Sequence, residues 1–142
     1  MDIVRSFADA FNRRDVAGLV ACFTPDARYV DGFYGRHAGA AQLRAMFERM
    51  YREGRDYVWT MDAVVESPAR AMAEWTFSYV VSDALPRSAG RRIRFRGMSV
   101  FELADGKIAA YRESFDTGQA LLQLGFAPEA LATVLTRKLE GG

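Results

Sequence analysis

The chain has 142 residues, 50% of them hydrophobic and 26% charged, with a net charge of +1. That length suits one domain over residues 1–142, with a core large enough to stand without metals or disulfides. The near-neutral balance gives no electrostatic reason to expect nucleic acid as a partner, and no stretch approaches the roughly 18 apolar residues of a membrane span.

The first segment places Val4, Phe7, Ala8 and Phe11 on one helical face. It lacks the basic start and apolar stretch of a secretory signal, so a cytoplasmic protein is expected. Asp15 stands as N-cap to a short second helix carrying Val16, Leu19, Val20 and Phe23. The lone cysteine, Cys22 in "LVACF", reads as a small core residue. "TPD" ends that helix, because proline disfavours helical backbone in the residue before it. A short strand, Ala27 to Asp31, and the loop "GFYGRHAG" follow. Leu43, Met46, Phe47, Met50 and Tyr51 then recur at the spacing of one helix face, with Gly54 just past the end of this third helix.

Beyond Gly54 the apolar period changes to that of strands. "YVWTMDAVV", "AMAEWTFSYVV", "RRIRFRGMSVFEL" and "KIAAYRESF" are four strands, with "SPAR" and "ADG" among the turns. Two short helices follow, "TGQALLQL" and "PEALATVLTRKL", the second starting on Pro128. Helices gathered on one face of an antiparallel sheet make an α+β fold.

Alternation along each strand sorts its two faces. Ala71, Ala73, Trp75, Phe77 and Tyr79 on the second long strand face the helices, as do Ile93, Phe95, Gly97, Ser99 and Phe101 on the third. The alternate positions, rich in Arg and Glu, face outward, where cross-strand charge pairs form. Among them Met72, Met98 and Val100 stand as apolar centres beside Arg94, Arg96 and Glu74, so a homodimer through the outer sheet is expected. On the last strand both faces mix apolar and charged residues. If its odd positions point inward, Glu113 enters the helix-covered space, where a carboxylate is costly unless paired, hydrogen-bonded or protonated. Asp31 in "RYVDGFYG" raises the same question, since it sits among Tyr29, Val30, Phe33 and Tyr34. It either caps a turn or lines a pocket. Aromatic residues make up 13% of the chain and cluster on the strands, which points to a lined cavity.

"FADAFNRRDVAGLVACFTPDARYVD" near the start and "GMSVFELADGKIAAYRESFD" near the end, in this order of elements, resemble the nuclear transport factor 2-like, or SnoaL-like, superfamily. That group includes ketosteroid isomerase and limonene epoxide hydrolase. The resemblance implies a cone: a strongly curved antiparallel sheet packed on N-terminal helices, enclosing an apolar pocket. It implies a dimer through the sheet as well. It places Asp31 where the isomerase has its proton-shuttling aspartate, while the two oxyanion-hole positions fall at Phe7 and Ser99, which lack the phenol and the acid. Against the hydrolase, Tyr29 matches a water-holding tyrosine, Asp31 replaces an asparagine and Glu113 replaces an aspartate. The remaining arginine and aspartate fall at Trp75 and Phe77. Neither relative's chemistry is kept whole, and the fold by itself does not choose another.

Two readings of function remain. In the first, the chain is an enzyme doing acid–base chemistry (isomerisation, cyclisation, dehydration or hydrolysis) on a hydrophobic, ring-containing small molecule. Asp31, Glu113 and Tyr29 are then the catalytic candidates. Phe33, Tyr34, His37, Trp59, Met61, Trp75, Phe77, Tyr79, Phe95 and Ser99 are the candidate pocket residues. In the second, it is a non-catalytic binder of a hydrophobic small molecule or an interaction module, with Asp31 only a turn residue and Glu113 paired to Arg36 or Arg112. His37, the only histidine, is an acid–base candidate under the first reading and a polar loop residue under the second. No group of His, Cys and acids has metal-ligand spacing, and there is no phosphate loop or nucleotide fingerprint, so neither metal nor cofactor is expected.

Overall fold

The computed structural model describes residues 2–141. Asp2 caps α1 (Ile3–Asn12) by accepting from the Arg5 amide, and Asp15 caps α2 (Val16–Ala21) by accepting from the Gly18 amide at 2.9 Å. After them come β1 (Phe23–Asp31), β2 (Gly35–Ala38), α3 (Ala40–Glu53), β3 (Gly54–Glu66), β4 (Arg70–Val81), β5 (Arg92–Ala104), β6 (Lys107–Phe115), α4 (Thr117–Gln123) and α5 (Pro128–Glu140). The strands form one curved, unclosed sheet in the order β2-β1-β6-β5-β4-β3, with the N-terminal helices against it. This is the cone expected from the sequence.

Three local features differ from the sequence pattern. The second helix stops at Ala21, and Phe23 opens β1, which is longer than the strand read from Ala27 onward. Pro25 lies inside it and has no N–H for the ladder, and the β1–β6 register shifts between Phe23 and Arg28 around it. The segment "GRHA" is a strand rather than part of a loop; β2 folds back on β1 with His37 opposite Tyr29. Finally, β1 runs parallel to β6, whereas every other pairing is antiparallel. The outer edge of β6 is what the meander leaves open, and β1 fills it.

The inner face carries the core. Phe7 and Phe11 of α1 both meet Trp59 edge-on, with ring centroids 5.0 Å apart in each case. Register sets the aromatic layers, aligning Trp59 with Phe77 and Phe95, and Trp75 with Gly97 and Phe115. A Cβ at Gly97 would stand 2.5 Å from the Trp75 ring and 2.9 Å from the Ser114 carbonyl oxygen, so only glycine lets the indole cover the strand there. Beyond the end of β6, α4 buries Ala120 and Leu121 and is tied to β5 by Gln123, whose side-chain amide bonds both the N–H and the C=O of Arg94. Helix α5 buries no residue. No described helix is long and apolar enough to cross a membrane.

Candidate active site

The β5–β6 register places Ser99 opposite Glu113 and Phe101 opposite Tyr111, so the odd positions of β6 do face inward. Trp75 lies diagonally across from Ser99 on β4. These positions assemble a chain of hydrogen bonds. Trp75 Nε1 meets Ser99 Oγ at 2.7 Å, Ser99 Oγ meets the Tyr111 hydroxyl at 2.8 Å, and that hydroxyl meets Glu113 Oε1 at 2.5 Å. An indole N–H can only donate, and among the described residues the Ser99 hydroxyl has no acceptor other than Tyr111, so Trp75 donates to Ser99, Ser99 to Tyr111, and Tyr111 to Glu113. Oε1 is thereby an acceptor, and any proton held by Glu113 sits on Oε2. Oε2 is also where the Gly32 amide donates, at 2.9 Å.

Asp31 resolves the ambiguity of its sequence by doing both things. Its Oδ1 accepts from the amides of Phe33 (2.7 Å) and Tyr34 (2.9 Å), which closes the turn from β1 into β2. The residue is only 8% exposed, and it lines a small inner cavity together with Glu113. The turn is capped from inside. Arg36 and Arg112 do not pair with Glu113; Arg112 stands 3.8 Å from Glu102 on the outer face instead.

Burial raises the carboxyl pKa of both acids, because it disfavours the charged form. For Asp31 the opposing pull comes from the Tyr34 and Phe33 amides and from the charges of His37 and Lys138. For Glu113 the like charge of Asp31 adds to burial and carries the carboxyl up to about 8, against the Tyr111 hydroxyl, the Gly32 amide and Lys138. The Tyr111 phenol is itself pushed up by burial and by Glu113, and so keeps its proton to donate. The geometry favours charge on Asp31, with two backbone donors on one oxygen, and the proton on Glu113.

The inner cavity is about 20 Å³, room for about one water, and Phe33, Met50, Trp59, Trp75, Phe77 and Phe95 complete its wall. Five of the expected pocket residues are therefore brought to the acids. Beyond Phe33 opens a larger chamber of about 660 Å³ under α4 and α5, which Tyr34 and Tyr79 line. The other candidates lie elsewhere. Met61 borders a surface hollow with Arg5 and Asn12, and His37 borders a groove with Arg28, Arg36 and Arg112, its Nε2 at 2.9 Å from the Tyr34 carbonyl. Ser99 is sealed behind the wall as a link in the relay. Tyr29 stacks on Tyr111 at 4.2 Å, and its buried hydroxyl has no hydrogen-bond partner.

Two residues near the acids escaped the sequence. Tyr111 shares the inward parity of Glu113 and could have been found from it. Lys138 could not. Its Nζ donates to the Gly32 carbonyl at 2.7 Å, across a separation of 106 residues.

A family model described as a SnoaL-like domain matches residues 4–111. TsrD from Streptomyces laurentii is 27% identical over 87% of this chain and 92% of its own, with a TM-score of 0.73. A candidate polyketide cyclase from Silicibacter sp. TM1040 is 23% identical (TM-score 0.76, 86% and 92% covered). An LEH-like epoxide hydrolase from M. tuberculosis is 20% identical (TM-score 0.71, 95% and 93% covered). No curated protein matches the chain by sequence.

Proposed function

The chain belongs to the SnoaL-like domain family, and from that premise we propose that it is an enzyme moving protons on a hydrophobic, ring-containing small molecule. The observation that carries this reading is the pair of carboxyls, Asp31 and Glu113, facing one small aromatic-walled cavity. A protein that only bound an apolar ligand would gain nothing from two acids there, and would bear their desolvation. Asp31, held charged by two amides, is the base that takes a proton from carbon. Glu113, holding its proton on Oε2, gives it to a carbonyl or leaving oxygen. Tyr29, expected as a third catalytic group, lines neither space; it acts on the pair only through Tyr111, on which its ring stacks. The ring system occupies the 660 Å³ chamber, and its reactive end reaches the acids past Phe33, which lines both spaces.

The test uses proton transfer itself as the signal. Ring-bearing ketones and esters that bind are incubated in heavy water, and mass spectrometry reads deuterium gained at carbon. Incorporation that disappears in Asp31→Asn supports the reading; bound compounds that never exchange contradict it. Ketosteroid isomerisation is not the reaction we assign. Phe7 has no hydroxyl, and Ser99 is committed to Tyr111 and Trp75. Each missing oxyanion donor costs on the order of 100- to 1,000-fold, so a β,γ-unsaturated ketosteroid is expected to turn over negligibly in a direct absorbance assay.

We also propose a homodimer through the outer sheet. Val65, Met72 and Val100 are adjacent in register there, and Val65, Met72 and Met98 are 74%, 45% and 56% exposed. Sedimentation at micromolar concentration is expected to give a dimer, and Met98→Arg a monomer. A monomeric wild type would contradict the proposal.

A further inference from the structure

The outer chamber is lined by more cationic than anionic side chains. Its wall is largely apolar, with Phe33, Tyr79, Leu121, Leu124, Phe126 and Val134 among its residues. Three cationic side chains, Arg49, Arg87 and Lys138, also line it, against one acid, Glu53. Arg49 is already taken. It pairs with Glu53 at 3.0 Å, and the other Glu53 oxygen accepts from the Tyr34 hydroxyl at 2.8 Å. Arg87 and Lys138 pair with no acid among the described residues.

Lys138 is the better placed of the two. One N–H of its ammonium is held by the Gly32 carbonyl, which leaves two donors for a ligand. Gly32 also supplies the amide that holds Glu113, so the cation is anchored one residue from the acid pair. It comes from α5, beyond residues 4–111 that match the family. Lys138 feels the charge of Asp31 but makes no direct ion pair with it, so a neutral ligand filling the chamber would take water from both cations and return no hydrogen bond to either. An anionic group would complete them.

We infer that the chamber takes a ring-containing apolar molecule bearing one anionic group, such as a carboxylate, with that group on Lys138 and Arg87. The ring system then lies against Phe33, Tyr79, Leu124 and Phe126. This narrows the substrate class of the reading above and rests on it for treating the chamber as the substrate's seat.

Two probes of nearly the same shape separate charge from shape: anilinonaphthalenesulfonate, which is anionic, and N-phenylnaphthylamine, which is neutral. Fluorescence titration at neutral pH is expected to show tighter binding of the anionic probe. Lys138→Gln and Arg87→Gln should each weaken it about fivefold, the scale of one exposed charge pair, and leave the neutral probe within twofold. Lys138→Arg should restore most of the loss. Phe126→Glu, which sets an acid in the same wall, should weaken the anionic probe more than the neutral one. Equal affinity for the two probes would overturn the inference, as would indifference of the anionic probe to both Gln variants. The acid-pair reading is tested separately by deuterium exchange in Asp31→Asn, so either can fail without the other.

Discussion

Asp31→Asn and Glu113→Gln are each expected to lower turnover by about 100-fold or more, the usual contribution of a positioned acid or base. The asparagine oxygen still accepts from the Phe33 and Tyr34 amides, so the turn between β1 and β2 stays closed while the proton acceptor is lost. The glutamine keeps the volume between Gly32 and Tyr111 but can accept from only one of these two donors, and it has no acidic proton to give. Steady-state rates on any substrate found by exchange read the effect directly. The loss should fall mainly on kcat, because neither substitution touches the chamber that holds the ring system. Unchanged kcat in both variants would remove the acid pair from the mechanism.

The second large effect is on stability, and its sign is opposite. Glu113 has an ordinary value of 4.5 and is raised to about 8 in the folded protein. Between those limits the folded chain holds a proton that the unfolded chain has released, so stability falls as pH rises from about 4.5 to about 8. Asp31 is raised too and tilts the curve the same way. Glu113→Gln removes the larger part of this slope. Relative to the wild type the variant should gain on the order of 3 kcal/mol between about pH 5 and about pH 9, on top of a pH-independent cost for the donor, Gly32 or Tyr111, that its single amide oxygen leaves unpaired. Urea titrations at the two pH values check this. A gain of stability together with a loss of activity is the signature of a site that holds charge at a cost to the fold.

Most of the fold could be read from the chain because its signals are local. The i, i+3, i+4 spacing of Leu43 to Tyr51 and the alternation from Ala71 to Tyr79 each name the buried face without tertiary information. The exceptions are long-range. The short β2 exists only because β1 offers an edge, and "GRHA" by itself has neither length nor alternation to mark a strand. Phe23 carries the right period for a helix but pairs with Ile108, a partner 85 positions away that no local window contains. The site divides in the same way. Parity left the inner face of β6 open, and the pairing of Ser99 with Glu113 settles it; once that face is known Tyr111 follows, since residues two apart share a face. The chamber and its cation could not be read, because Lys138 meets Gly32 only after α5 has folded back across the turn. His37 and Met61 sit in plausible sequence contexts, yet their strands turn them toward other hollows.

The central claim is that two buried acids share one cavity and divide their protons, and carboxyl-carbon NMR of the labelled protein tests it most directly. A pH titration is expected to show Glu113 losing its proton near 8, with the resonance of Asp31 responding to the same step. In Asp31→Asn the Glu113 midpoint should move down, because the like charge that helps to raise it is gone. A Glu113 that titrates at the ordinary value of 4.5 and ignores the loss of Asp31 would contradict the account.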